Sequence, residues 1–292
     1  MAYLQRTIMD IINRTVIKKW SNSQTNLIID SEGDKFIEKI QFYNPITNNF
    51  NLAPYDSNEY EIYRSIIIPL EIPHVQIIGS AQTEKSVTFV MDFIDGIVCE
   101  DAPKAEHLYM AAEKAGTIYK KSKENMSCAD KDIIEKYKLS KEKIIDHTEK
   151  INKRFNMPPI NLTIDYIYEK YKSRTIFVNH FDMHFKNFIL NDDLHLIDWA
   201  SMRISPFFTD LYLLLSQADE VGADADEIKK RYLSFAQINH IDDEDIYIGG
   251  IIWNIVIIRE LLDLVSIDNF PIEWAEDHYN DLQNLLKLLN FH

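Results

Sequence analysis

The stretch from residue 178 to residue 200, VNHFDMHFKNFILNDDLHLIDWA, constrains this chain more than any other part of it. Short apolar runs alternate there with His180, Asp182, His184, Asn187, His195 and Asp198, polar groups that resist burial unless they are paired. TIFVN has the content of a strand, and HFDMHFKN is too polar to continue it. FILNDDLHLID reads as strand, tight turn and strand about Asn191-Asp192-Asp193. The fold-back carries Asp198 towards the loop that holds Asp182 and Asn187. Two carboxylates and an amide oxygen therefore converge.

The flanking sequence divides in two. Residues 16 to 42 read as strands: VIKKW and NLIID flank the polar SNSQT, and SEGD turns into KFIEKIQF. DSNEYEIYRSIIIPL has helical spacing behind a Ser57 or Asn58 cap, and HVQIIGSAQTEKSVTFVMDFIDG reads as a hairpin. The opening MAYLQRTIMDIINRTVIKKW, broken by Asp10, Arg14 and Lys18, reads as an amphipathic helix. From Pro103 the chain turns lysine-rich and helical. About three segments are expected to residue 172, broken near Ser127 and at Pro158-Pro159, and helix returns from 207 to 291. We expect units at 1–98 and 99–292.

A chain of 292 residues that is 46% hydrophobic has ample material for a core. Cys99 and Cys128 sit in no CxxC spacing, against a disulfide scaffold or a thiolate zinc site. A formal charge of −15 repels phosphate backbones, so nucleic acid is not an expected partner, and it attracts small cations. No apolar run approaches a membrane span of about 18 residues. The expectation is a soluble cytoplasmic protein.

Asp182, Asn187 and Asp198 are what phosphoryl transfer asks for. That reaction needs an aligned acceptor hydroxyl and cations that neutralise phosphate, with little covalent help. Asp182 would accept the hydroxyl proton. Asn187 and Asp198 offer hard oxygen ligands suited to Mg²⁺. A zinc site from His180, His184 and His195 is the competing reading, weakened because His195 alternates away from the face of Asp198.

His180-x-Asp182-x4-Asn187 followed by LIDW resembles the catalytic loop and metal-binding Asp of the aminoglycoside phosphotransferase/choline kinase superfamily, relatives of protein kinases. The family pattern HGDLHxxN stands here as HFDMHFKN, with Phe181 in place of Gly. Trp199 after Asp198 favours the small-molecule branch, and SPFFTDLYLL resembles the next helix start, with Asp210 as a structural group. The resemblance implies an α+β, two-lobed protein-kinase-like fold, with a small antiparallel-sheet N-lobe and a larger, mainly helical C-lobe. It also implies use of ATP and Mg²⁺. A strand lysine and a helix glutamate should complete the nucleotide site. Lys39 is the expected lysine, with Ile37 on its face and Lys35 as competitor; Glu59 is the expected glutamate, with Glu61 as alternative. FVMDFIDG resembles the hinge strand, offering the Asp92 carbonyl and the Ile94 amide. The nucleotide loop SNSQTN has no glycine, leaving Ser21, Ser23 and Asn26 as donors.

Residues 216–292 hold sixteen acidic against five basic side chains, a balance of −11. Acid in that lobe resembles enzymes with polycationic acceptors, and we expect a cationic hydroxyl compound of the aminoglycoside or amino-sugar type. Antibiotic inactivation or self-resistance would follow by analogy with the family. Glu273 and Asp277, four apart on one helix face, are the expected acceptor acids. Met202, Arg203 and Ser205 should line the approach. Trp253 and Trp274 leave open a choline- or ethanolamine-type acceptor held by cation–π attraction, although IIWNIVIIRELLDL is apolar enough to bury Trp253. A non-catalytic kinase-like binding protein is the contrasting reading.

Overall fold

The structure is a computed structural model that describes residues 10–19, 23–43, 58–156, 160–268 and 271–290. Its first part is a five-stranded antiparallel sheet of β1 (Ile11–Lys19), β2 (Ser23–Asp30), β3 (Lys35–Phe42), β4 (Ile77–Gln82) and β5 (Ser86–Asp92). The strand order is β1-β2-β3-β5-β4. One short helix, α1 (Glu59–Ile62), continues into a π-helical turn at Tyr63–Ile67. Asn58 caps it by accepting from the Glu61 amide, as one of the two expected caps. Its Ile62, Tyr63, Ile66 and Ile67 are buried in one core with Phe89 and Met91 of β5.

The helix expected at the start is not what residues 11–19 form. They pair with β2 as a strand. Asp10, Arg14 and Lys18 repeat at a helical interval, but Ile11, Ile12, Thr15, Val16 and Ile17 are β-branched and a partner strand is at hand. Residues 1–9 lie outside the described residues.

The second part is mainly helical: α2 (Ala105–Asn125), α3 (Lys131–Tyr137), α4 (Lys141–Phe155) and α5 (Asn161–Tyr171) precede the quoted stretch. That is one helix more than expected, because Ser140 caps a fresh start by accepting from the Lys143 amide. Pro158-Pro159 lies outside the described residues. The stretch itself forms β7 (Phe177–Asn179), β8 (Phe188–Leu190) and β9 (Leu194–Leu196), followed by β10 (Arg203–Ser205), which pairs with β7. Strand β6 (Ile97–Val98) adds to β8, so Ile97 and Val98 pack with the second part. Gly96 precedes it because a Cβ there would lie 2.5 Å from the Leu190 carbonyl oxygen. The chain ends in α6 (Thr209–Ser216), α7 (Ala218–Val221), α8 (Ala225–Ala236), α9 (Asp243–Asp268) and α10 (Glu273–Leu288). Helix α9 is apolar nearly all round and runs through the core, with Ile251, Ile252, Ile255 and Ile258 fully buried. Among the described residues, no helix is long and apolar enough to cross a membrane.

Candidate active site

The loop from His180 to Asn187 is held by its own backbone. Asp210, in the first turn of α6, accepts from the amides of His180 at 2.7 Å and Phe181 at 2.8 Å. The Trp253 indole N–H donates to the Phe181 carbonyl at 3.1 Å, and Gln217 donates to the Met183 carbonyl at 2.8 Å. Asn187 donates through Nδ2 to the Asp182 carbonyl at 2.8 Å. Phe181, where the family pattern has glycine, has φ of 71°. A non-glycine residue there costs about 1–3 kcal/mol, offset here by the bonds on both sides of the peptide and by burial of the Phe181 ring.

His180 is structural. Its ring is fully buried and its Nε2 donates to the Ile197 carbonyl at 3.1 Å, tying the loop to the segment that carries Asp198. Burial lowers its pKa and keeps it neutral. His195 turns outward to Asn191 at the hairpin, as alternation requires. Among the described residues, no group of three His, Cys, Asp or Glu side chains is arranged to hold a metal. The three-histidine zinc reading therefore fails.

Asp182 is 17% exposed, with Lys186 Nζ at 3.2 Å and His184 Nε2 at 3.7 Å from its carboxylate. Burial lowers the pKa of His184 against the pull of Asp182. Asp198 lies beside Asn187, because the Ile197 amide donates to the Asn187 carbonyl at 3.0 Å. From the first part of the chain, Lys39 reaches across to it. Lys39 Nζ donates to Glu59 Oε1 at 2.6 Å and Oε2 at 2.9 Å, and lies 3.5 Å from Asp198 Oδ1. Glu59 in turn accepts from the Trp199 amide at 3.2 Å. Burial acts to lower the pKa of Lys39, but the carboxylates of Asp198 and Glu59 outweigh it and raise it. Burial raises Glu59 against Lys39. The Asp198 carboxyl, which burial would raise, is held below the usual carboxylate value by Lys39 and Lys18.

Of the two candidate glutamates, Glu59 is the one that meets Lys39. Glu61 accepts from Lys136 at 2.5 Å and Tyr137 at 2.7 Å. Lys35 points elsewhere, over the Phe93 ring at 5.4 Å. Ile37 shares the half-buried face of Lys39. Asp92 ends β5, its amide donating to the Gln76 carbonyl, and Ile94 packs on the core just beyond. Ser23 opens β2 opposite Gln41, whereas Asn26 is buried and donates to Glu38 on the other face of the sheet. Ser21 lies outside the described residues.

A cleft of ≈ 410 Å³ is lined by Glu100, Pro103, Phe185, Gln217 and Glu220 together with His184 and Lys186, the two side chains beside Asp182. The acceptor residues expected from the sequence do not line it. Glu273, Trp274 and Asp277 are exposed at the start of α10, and Trp253 is core, its indole bonded to the loop backbone. Met202, Arg203 and Ser205 are buried; Arg203 pairs with Glu260 at 2.6 Å. Among the described residues, Glu220 is the one acid after residue 215 that lines the cleft. Others are engaged in ion pairs, such as Glu227 with Arg231 and Asp263 with Arg259.

The donor set suits a Mg²⁺ ion: Asp198 is ionised, and the Nδ2 bond of Asn187 leaves its Oδ1 on the other side of the amide. Mg²⁺ takes one or two protein oxygens and completes its shell with water and phosphate.

The sequence matches no protein-family model and no curated protein sequence. Solved structures do match. A candidate aminoglycoside phosphotransferase from Ralstonia eutropha aligns over 97% of this chain and 92% of its own, at 11% identity and a TM-score of 0.67. The choline kinase LicA from Streptococcus pneumoniae aligns over 95% and 94%, at 16% identity and a TM-score of 0.65. An amicoumacin kinase, solved with AMP-PNP and Ca²⁺, aligns over 93% and 87%, at 14% identity and a TM-score of 0.61. The fold is α+β, kinase-like and two-lobed, with a small antiparallel-sheet lobe and a mainly helical one. It is the fold shared by these aminoglycoside phosphotransferase, amicoumacin kinase and choline kinase structures.

Proposed function

We propose that this chain is an ATP- and Mg²⁺-dependent phosphotransferase acting on a hydroxyl of a cationic, amino-containing acceptor of the aminoglycoside or amino-sugar type. The observation that carries this reading is Lys39, gripped by Glu59 and facing Asp198, with Asp182 and Asn187 on the pinned loop beside it. Lys39 would bind the α- and β-phosphates. The adenine would lie between Ile37 and the β5 end, against the Asp92 carbonyl and Ile94 amide. Asp198 and Asn187 would hold Mg²⁺, which supplies neutralisation of phosphate charge when bound. Asp182 takes the proton of the acceptor hydroxyl. The new O–P bond forms as the bond from the γ-phosphorus to the β–γ bridging oxygen breaks, and ADP departs.

The acceptor enters through the cleft beside Asp182, whose volume falls in the usual range for small-ligand sites of about 300–1,000 Å³. Glu100 and Glu220 supply the negative charge that draws an amine. A choline-type acceptor has less support, because the indole of Trp253 is occupied in the core. Inactivation of an amine-bearing antibiotic is the role this acceptor class would serve.

The test is direct. Saturating MgATP should raise the melting temperature by about 3 °C or more, and Lys39→Ala should lose most of that rise. A panel of amino alcohols should find one that releases ADP. Absence of stabilisation at millimolar MgATP overturns the reading; stabilisation with no ADP released across the panel favours a non-catalytic binding protein.

A further inference from the structure

The register of the first two strands turns Lys18 towards the candidate nucleotide site. Val16 pairs with Asn26, but Lys18 pairs with Thr25, so β1 carries one residue more than β2 at Ile17. In an unbroken strand, residues 16 and 18 share a face. Asn26 stands opposite Glu38, so a regular β1 would put Lys18 on the Glu38 side. The bulge reverses this. Lys18 lies opposite Thr25, Thr25 opposite Lys39 and Lys39 opposite Phe89, which puts both lysines on one face of the sheet. Bulges commonly re-aim a side chain in this way. The outcome is visible at Asp198: Lys39 Nζ is 3.5 Å from Oδ1 and Lys18 Nζ is 3.9 Å from Oδ2.

Lys39 is already gripped by both oxygens of Glu59 and is 16% exposed; Lys18 is 53% exposed on an edge strand. The sequence joining β1 to β2 contains no glycine. We infer that Lys18 is a second phosphate-binding ammonium. It leaves Asp198 for the triphosphate when nucleotide enters, and adds a second positive charge beside that of Lys39. This rests on the nucleotide reading of the site.

The test compares wild type, Lys18→Met and Lys18→Arg, measuring MgATP, MgADP and adenosine binding by calorimetry at low and moderate salt. The methionine variant should weaken MgATP about 10-fold or more, the size of one charge-assisted contact. It should weaken MgADP less, leave adenosine unchanged and flatten the salt dependence. The arginine variant should stay within about 3-fold of wild type. Ligand-free melting temperatures compare the folds, and arginine rescue separates lost charge from lost packing. If wild type binds MgATP and Lys18→Met binds it equally, Lys18 has no such role. If wild type takes no MgATP, the nucleotide reading falls and this inference with it.

Discussion

The two sides of the candidate site are built in opposite ways. On the nucleotide side, Lys39, Glu59, the Trp199 amide and Asp198 form a chain of short contacts across the two lobes, with Glu59 only 2% exposed. On the acceptor side, Glu100 sits on a 3-10 turn and Glu220 on the four-residue helix α7, both exposed and on separate elements. The first arrangement is expensive to disturb, since a buried charge that loses its partner keeps the cost of its burial. The second can change residue by residue with little effect on folding. In the proposed phosphotransferase the groups assigned to chemistry are fixed, and those assigned to acceptor selection are not.

The comparison breaks first at Asp182. Asp182→Asn should lower kcat by about 10²–10⁴ while MgATP stabilisation persists, the range for a lost general base. Asp198→Asn should instead abolish Mg²⁺-dependent nucleotide stabilisation. Equal loss of MgATP binding in both variants would merge roles assigned here to different residues.

A sharper contrast lies within one helix. Glu59→Gln should cut kcat/KM by about 100-fold and lower the melting temperature, because Glu59 serves both Lys39 and the Trp199 amide. Glu61→Gln, which faces Lys136 and Tyr137, should change kcat/KM by no more than about 3-fold. Steady-state kinetics of the two side by side decide it.

The acceptor side should respond more mildly. Glu100→Gln and Glu220→Gln should each raise the acceptor KM by about 3- to 10-fold and spare kcat and the KM for MgATP. Added salt should reproduce part of the effect, as the Debye length falls from about 10 Å at 0.1 M to about 3 Å at 1 M. Glu273→Gln and Asp277→Asn should do nothing measurable. An uncharged sugar phosphorylated as well as any amine, without a salt effect, would remove the cationic acceptor and keep the phosphotransferase.

The smallest effect is one of pH. Burial lifts the carboxyl of Asp210 to about 7, against the His180 and Phe181 amides that favour its charge. A folded value above the unfolded one, about 3.9, stabilises fully below that unfolded value and is lost as pH rises through 7. The melting-temperature gap between wild type and Asp210→Asn should therefore be widest at about pH 4 and below. It should narrow steadily as pH rises from about 4 to about 7 and stay constant above about pH 8.

The residues legible in the sequence were those fixed by local spacing. Asp182, Asn187 and Asp198 lie in one strand-loop-hairpin run, and hairpin pairing brings their segments together. Lys39 was legible from strand alternation, but the choice between Glu59 and Glu61 depends on which way a short helix rolls. Lys18 was hidden for a sharper reason: a bulge reverses parity, and alternation counted along β1 gives the wrong face. The acids that line the cleft were hidden because net charge is a sum. The −11 of the last segment is largely surface, and Glu100 lies outside it.

Helix α1 is fastened to the larger lobe on two sides. Glu59 accepts from the Trp199 amide; Glu61 accepts from Lys136 and Tyr137, and the Asn58 amide donates to the Tyr137 hydroxyl. Kinase-like folds can be switched off by moving this helix away and parting the lysine from its glutamate. Here an outward swing would break contacts to α3 and to the Asp198 segment in the same movement. Displacing α1 would therefore cost contacts to both segments at once, which holds Glu59 where Lys39 meets it.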